Sequence, residues 1–137
     1  MIIDTMVFAY ALLGVEGFRE QALKALESAD LVEIPDSLRA ELVNVVWKWV
    51  KTKGLSLDLG LEVLQDAEAL IDRVIPAQEL WERALELAVQ YNHPAYDTLF
   101  IAAAELGETQ VVTFDKKLLG TFPSLTVDAS GGLVDRQ

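Results

Sequence analysis

Four acidic residues occupy positions where a surface charge is not expected: Asp4, Glu41, Asp97 and Asp115. Asp4 interrupts the apolar opening IIDTMVFAYALLG, residues 2 to 14, and Asp115 ends the run TQVVTFD. On a helical wheel of residues 36 to 52, Glu41 falls at the margin of the stripe Leu38, Leu42, Val45 and Trp49. Asp97 lies in the first turn of AYDTLFIAAAEL, on the side of Phe100, Ile101 and Ala104. A buried, unpaired carboxylate is costly, so each acid needs a proton, hydrogen-bond donors or a cation. Singly, each has an ordinary structural role. Asp97 or Asp115 could cap a helix, worth about 1 kcal/mol, Glu41 could reach solvent from a core edge, and Asp4 could accept donors from the next turn. Gathered in one low-dielectric cleft, the four would repel one another and raise their own pKa values unless cations bind.

Composition limits what can surround them. The chain has 137 residues, 52% of them hydrophobic, which is enough for one domain with a proper core over residues 1–137. It has no cysteine, so disulfides, zinc–thiolate sites and thiol nucleophiles are excluded. The longest apolar stretch, MVFAYALLGV, is far short of the ~20 residues that span a bilayer, and no basic segment precedes it. A soluble, cytoplasmic protein is expected. Eleven Lys and Arg against 22 Asp and Glu give a net charge of −11, which opposes an extended nucleic-acid footprint held by phosphate contacts alone. Arg39, Lys48, Lys51, Lys53, Lys116 and Lys117 form two clusters near Glu41 and Asp115, most simply read as solvated helix faces.

The elements that would position the acids alternate between strand-like and helical patterns. MIID reads as a strand ending near Asp4, and VFAYALL as a helix. Helical spacing continues over residues 17–28, then LVEIP (31–35) is a strand stopped by Pro35. A helix capped by Asp36 or Ser37 runs to Gly54, another starts at Ser56 or Asp58, and DRVIPA (72–77) is a third strand. QELWERALELAVQY is amphipathic, NHP (92–94) is a turn, and AYDTLFIAAAEL is apolar nearly all round, so it should be buried on several sides. TQVVTFD and SLTVDAS are the last two strands. This alternation implies a parallel sheet covered on both faces, with the ligand site beyond the carboxyl ends of the strands where the strand order reverses. Asp4 and Asp115 end strands and fall on that edge.

Three separated segments resemble the PIN-domain family of small metal-dependent ribonucleases, especially the single-domain toxins of toxin–antitoxin pairs. They are IIDTMVFAYALLG, IPDSLRAELVNVVWK and HPAYDTLFIAAAELGETQVVTFDKKL. The resemblance implies a three-layer α/β/α fold around a parallel sheet of four to five strands. It carries over Asp4 as the family's first acid, Glu41 as the second in the A-E-L-x-N context with Asn44, Asp97 as the third and Asp115 as the fourth, with Thr113 in the T-x-D pattern. It further implies one or two Mg²⁺ or Mn²⁺ ions among those acids, and hydrolysis of single-stranded RNA at phosphodiester bonds. A cognate antitoxin and a homodimer are also implied. Thr5, Asn44, Thr113 and Lys116 are candidates for contacting substrate or orienting the acids.

The residue types suit that chemistry. Mg²⁺ and Mn²⁺ favour oxygen ligands and retain waters, and a bound ion lowers the pKa of its water while offsetting the carboxylate charge. Replacing any of the four acids by alanine is then expected to stop cleavage and to stabilise the metal-free protein by relieving repulsion.

Met6 departs from the small polar residue usual in the family two positions after the first acid. The alternative is therefore a catalytically weakened or inactive scaffold that binds protein or RNA. An aspartate-nucleophile phosphatase is disfavoured because Thr5-Met6-Val7 follows Asp4 instead of the x-D-x-T continuation, and a phosphoacceptor domain because it wants paired early acids and a lysine at a late strand end. His93 reads as a structural or exposed turn residue, Trp49 as core, and Trp47 as a partner-facing residue opposite the stripe.

Overall fold

Five short parallel strands form the centre of the protein, described over residues 1–131 in a computed structural model. In chain order they are β1 (Ile2–Ile3), β2 (Glu33–Pro35), β3 (Arg73–Ile75), β4 (Val111–Thr113) and β5 (Thr126–Asp128), arranged β3-β2-β1-β4-β5. Ile2 pairs with Glu33 on one side and Val111 on the other, and Ile3 with Val112. The central strand is fully buried, as a continuous apolar run in a parallel sheet should be.

The helices are α1 (Thr5–Leu13), α2 (Arg19–Ser28), α3 (Ser37–Lys53), α4 (Leu57–Leu70), α5 (Trp81–Tyr91), α6 (Ala95–Leu106) and α7 (Lys116–Thr121). The chain steps from β1 to β2 to β3 in one direction, then returns past β1 to β4 and β5. Right-handed crossovers therefore put α1 to α4 on one face and α5 to α7 on the other. Packing follows this division: α1 meets α2, α3 and α4, whereas α5 packs on α6. The result is the expected three-layer α/β/α sandwich.

Local chemistry explains the boundaries that matter for the acids. Strands are shorter than the apolar runs that predict them, because Asp4 and Asp115 leave the ladder and open helices. Both have extended φ and ψ, and both accept backbone N–H bonds from the helix that follows. Gly14 closes α1 at φ 70° and Gly54 closes α3 at φ 71°, left-handed positions that favour glycine. Ser56 caps α4 by accepting from the Leu59 amide. Asp36 precedes α3, but its side chain accepts no capping hydrogen bond among the described residues.

Two packing expectations need comment. α6 is buried on several sides, with Phe100, Ile101 and Ala102 to Ala104 all inside, and it rests on β1, β2 and β4. Its consecutive alanines let it lie close to the sheet and bring Asp97 to the strand ends. On α3 the buried residues are Leu38, Leu42 and Val46, whereas Val45 and Trp49 are only half-buried. Steps of four move the stripe slowly around the helix, so Val46 takes the interior place and Val45 joins Glu41, one turn away, on the cleft side.

Candidate functional site

The strand order reverses between β1 and β4; Asp4 directly follows β1, Thr113 ends β4 and Asp115 lies two residues beyond it. Asp4 follows β1, its backbone N–H bonded to the Val112 carbonyl at 3.0 Å. Asp4 Oδ1 accepts the Thr5 amide at 2.8 Å, and Oδ2 accepts the Thr113 hydroxyl at 2.6 Å. Thr113 Oγ1 in turn accepts the Asp115 amide at 3.0 Å. Thr113, buried at the end of β4, thus ties the two strand-end acids together across the switch point. Asp115 Oδ1 accepts the Lys117 and Leu118 amides at 2.9 and 3.2 Å.

The other two acids arrive on helices from opposite faces of the sheet. Glu41 comes from α3; its Oε2 accepts the Thr5 hydroxyl at 2.7 Å, while Oε1 is buried without a partner among the described residues. Asp97 comes from the first turn of α6, with Oδ2 at 3.0 Å from His93 Nε2. All four acids line one cleft of about 340 Å³, together with Thr5, Met6, Tyr10, Val45 and Phe114. An adjoining hollow, about 480 Å³, is larger but shares only Glu41 of the four. Chemistry, not size, marks the site.

The electrostatics follow from this convergence. Burial pushes the Asp4 carboxyl up to about 6 from 3.8, against the downward pull of the Thr113 and Thr5 bonds, and the charges of Asp97 and Asp115 add to the rise. Burial likewise pushes Glu41 up to about 7 from 4.5, with Thr5 opposing and Asp4 and Asp97 reinforcing. Asp97 is raised chiefly by burial, opposed mainly by its bond to His93, and more weakly by the Lys117 charge. Three acids are thus held in a place that disfavours their charge, and the buried Glu41 Oε1 has no donor among the described residues.

The remaining candidates divide. Thr5 and Thr113 are at the centre, each bonding a carboxylate. Asn44 is exposed and lines the adjoining hollow. Lys116 is exposed and does not line the cleft; the lysine whose charge reaches Asp97 is Lys117. Arg39 is paired with Glu68, and Lys51 sits 5.1 Å over the Trp47 ring, so the basic face of α3 is engaged on the surface. Of the two roles the sequence offered His93, structural or exposed, the first holds: it is buried against Asp97, with Nδ1 unpartnered among the described residues. Its spacing of four from Asp97 was the available signal for that contact, obscured by the intervening Pro94. Tyr10 and Phe114, the aromatic wall, were missed by sequence reasoning, although Phe114 adjoins Asp115 in sequence.

The donor set fits a hard divalent cation: only oxygen ligands, raised carboxyl pKa values and an orphaned buried Glu41 oxygen. Among the described residues, no three His, Asp or Glu side chains draw together into a ready-made metal cage. An ion that keeps several waters and meets the acids partly through them is the kind this open arrangement suits.

A three-layer α/β/α fold with an acidic cleft at the switch point defines the broad class. The PIN domain family model matches residues 1–121, and the chain belongs to that family. It is 27% identical over 127 residues to Ribonuclease VapC3 of Pyrobaculum aerophilum, covering 91% of this chain and 96% of the relative. Its fold is similar to PAE2754 of the same organism, with a TM-score of 0.74 and 19% identity over 98% of this chain and 86% of that one. A toxin–antitoxin complex from Klebsiella pneumoniae contains a similar chain, with a TM-score of 0.69 and 20% identity over 93% of this chain and 96% of the other. Among the described residues, no helix is long and apolar enough to cross a membrane.

Proposed function

We propose that this protein is a divalent-metal-dependent endoribonuclease that hydrolyses single-stranded RNA, and the toxin of a toxin–antitoxin pair. The observation that carries the reading is the meeting of Asp4, Glu41, Asp97 and Asp115 at one cleft on the strand-end edge of a PIN fold. A divalent ion such as Mg²⁺ or Mn²⁺, if bound there, would supply a more acidic water and would offset phosphate charge. The chain supplies the rest. Asp4, Glu41, Asp97 and Asp115 would hold the ion; Thr5 and Thr113 orient Glu41 and Asp4 by hydrogen bonds, and His93 bonds Asp97.

The antitoxin partner rests on the likeness to the Klebsiella complex. Self-association as a homodimer is supported by apolar side chains left exposed, notably Trp81, Leu85 and Val89 at four-residue spacing on α5. A second reading, a weakened or inactive scaffold, is favoured by one observation: Met6, with no hydrogen-bonding hydroxyl or amide, lines the cleft.

Cleavage of a single-stranded RNA pool in Mn²⁺ decides between them. Asp4→Asn and Glu41→Gln are expected to lower kcat/KM by more than about a hundredfold, beyond the loss typical of residues that merely orient ligands. Variants that cut as well as the parent would refute the site, and a parent that binds Mn²⁺ yet cuts no RNA would establish the scaffold.

A further inference from the structure

We propose that Tyr10, Phe18 and Phe114 form a stacking site for an unpaired nucleobase next to the phosphodiester at the acid cleft. The inference rests on the nuclease reading above and adds how the substrate is held. Tyr10 and Phe114 line the same cleft as the four acids. The Tyr10 and Phe18 rings stack with centroids 4.6 Å apart and planes 27° apart. Phe114 stands edge-on to both, at 5.1 Å from Tyr10 and 5.6 Å from Phe18.

The three rings come from α1, from the turn before α2 and from the residue after β4, so no single element accounts for their meeting. Gly14 at φ 70° and Gly17 at φ 89° let the chain double back and lay Phe18 on Tyr10. The Phe18 amide donates to the Val15 carbonyl at 3.1 Å, which fixes the return. Phe18 remains 40% exposed, an open phenyl ring packed on two rings that line the acid cleft.

Charge explains why such a surface would be needed. With a net charge of −11, the protein gains little from phosphate contacts at long range. Stacking on an aromatic ring is independent of charge and tolerant of base identity, because every base has a π-face. Rings already locked against one another lose little further freedom when a base is added. The site therefore requires a splayed, single-stranded base and selects against duplex, whose bases are stacked within the helix.

The test uses the full chain and a 2′-O-methyl oligoribonucleotide carrying one 2-aminopurine, moved along the sequence, in Mn²⁺, its integrity checked on a gel. Saturable quenching is expected at one position for the parent. Binding read by that signal should be about tenfold weaker for Phe18→Leu and retained in Phe18→Trp. On cleavable RNA the same change should raise KM about tenfold with kcat unchanged, and an abasic nucleotide at that position should erase the difference between parent and variant. Equal quenching in parent and Phe18→Leu, or none at any position, overturns the proposal and leaves the cluster as packing or a protein contact. Absence of cleavage by the parent defeats the nuclease reading separately, since quenching is read on uncut RNA. Should Phe18→Leu melt below the assay temperature, the order Trp, Phe and Tyr at position 18 decides, and affinities indifferent to the ring overturn it.

Discussion

Glu41 shows at the scale of one residue how the cleft stores unfavourable charge. One of its oxygens takes the Thr5 hydroxyl and the other is buried with no partner among the described residues. Folding raises its pKa from 4.5 to about 7, so the native state binds its proton more tightly than the unfolded chain does. Stability of the metal-free protein must therefore fall as pH rises from about 4.5 to about 7, and Asp4 adds the same sign between 3.8 and about 6. Glu41→Gln keeps an acceptor for Thr5 and removes the charge. Its metal-free thermal midpoint is expected to exceed the parent's at pH 8 and to match it at pH 4.5, as calorimetry without divalent ions would read. A midpoint for the parent that rises between those pH values would contradict this account. Alanine at the other acids behaves differently from the simple repulsion argument. Asp115→Ala removes the acceptor for the Lys117 and Leu118 amides, a cap worth about 1 kcal/mol, and Asp4→Ala strands the Thr113 hydroxyl and Thr5 amide.

At the scale of elements, the position of Glu41 depends on how closely α4 supports α3. A Cβ added at Gly60 would meet Val46 Cγ1 at 3.0 Å and Val50 Cγ2 at 3.7 Å. Val46 is itself buried and β-branched, so it has little freedom to give way. Gly60→Leu is expected to push the helices apart, at a cost of about 1–3 kcal/mol, and to lower activity by more than the folded fraction accounts for. Adding Val46→Ala should recover part of the lost stability, because the two changes share one contact. Thermal melts of the two single variants and the double variant would read this; simple additivity would show that the helices do not press together there.

The whole molecule sets how substrate can approach. Its basic residues are few, and Arg39, Arg73 and Arg83 are paired with Glu68, Glu33 and Glu105. Each phosphate contact on a single strand adds about 0.7 to the slope of log affinity against log salt. With Lys117 the lysine whose charge reaches Asp97, a slope of about 1 to 2 is expected in Mn²⁺. Filter binding across a salt series gives the value. A slope of about 4 or more would mean an extended basic track that this charge distribution does not contain.

Periodicity and apolar runs were enough to read the order of strands and helices, the parallel covered sheet and the acids at strand ends, because these follow from neighbours in sequence. The spacing of Asp4, Glu41, Asp97 and Asp115 along the chain was legible in the same way, through the motifs around them. What only the tertiary structure decided is pairing between distant residues. Thr113 bonding Asp4, Thr5 bonding Glu41, Val46 displacing Val45 from the interior and Phe18 folding onto Tyr10 all depend on helix rotation and on turns with positive φ. A hydrogen bond or ring contact is decided within an ångström or so, whereas a sequence pattern specifies which face a residue takes and not what stands opposite it.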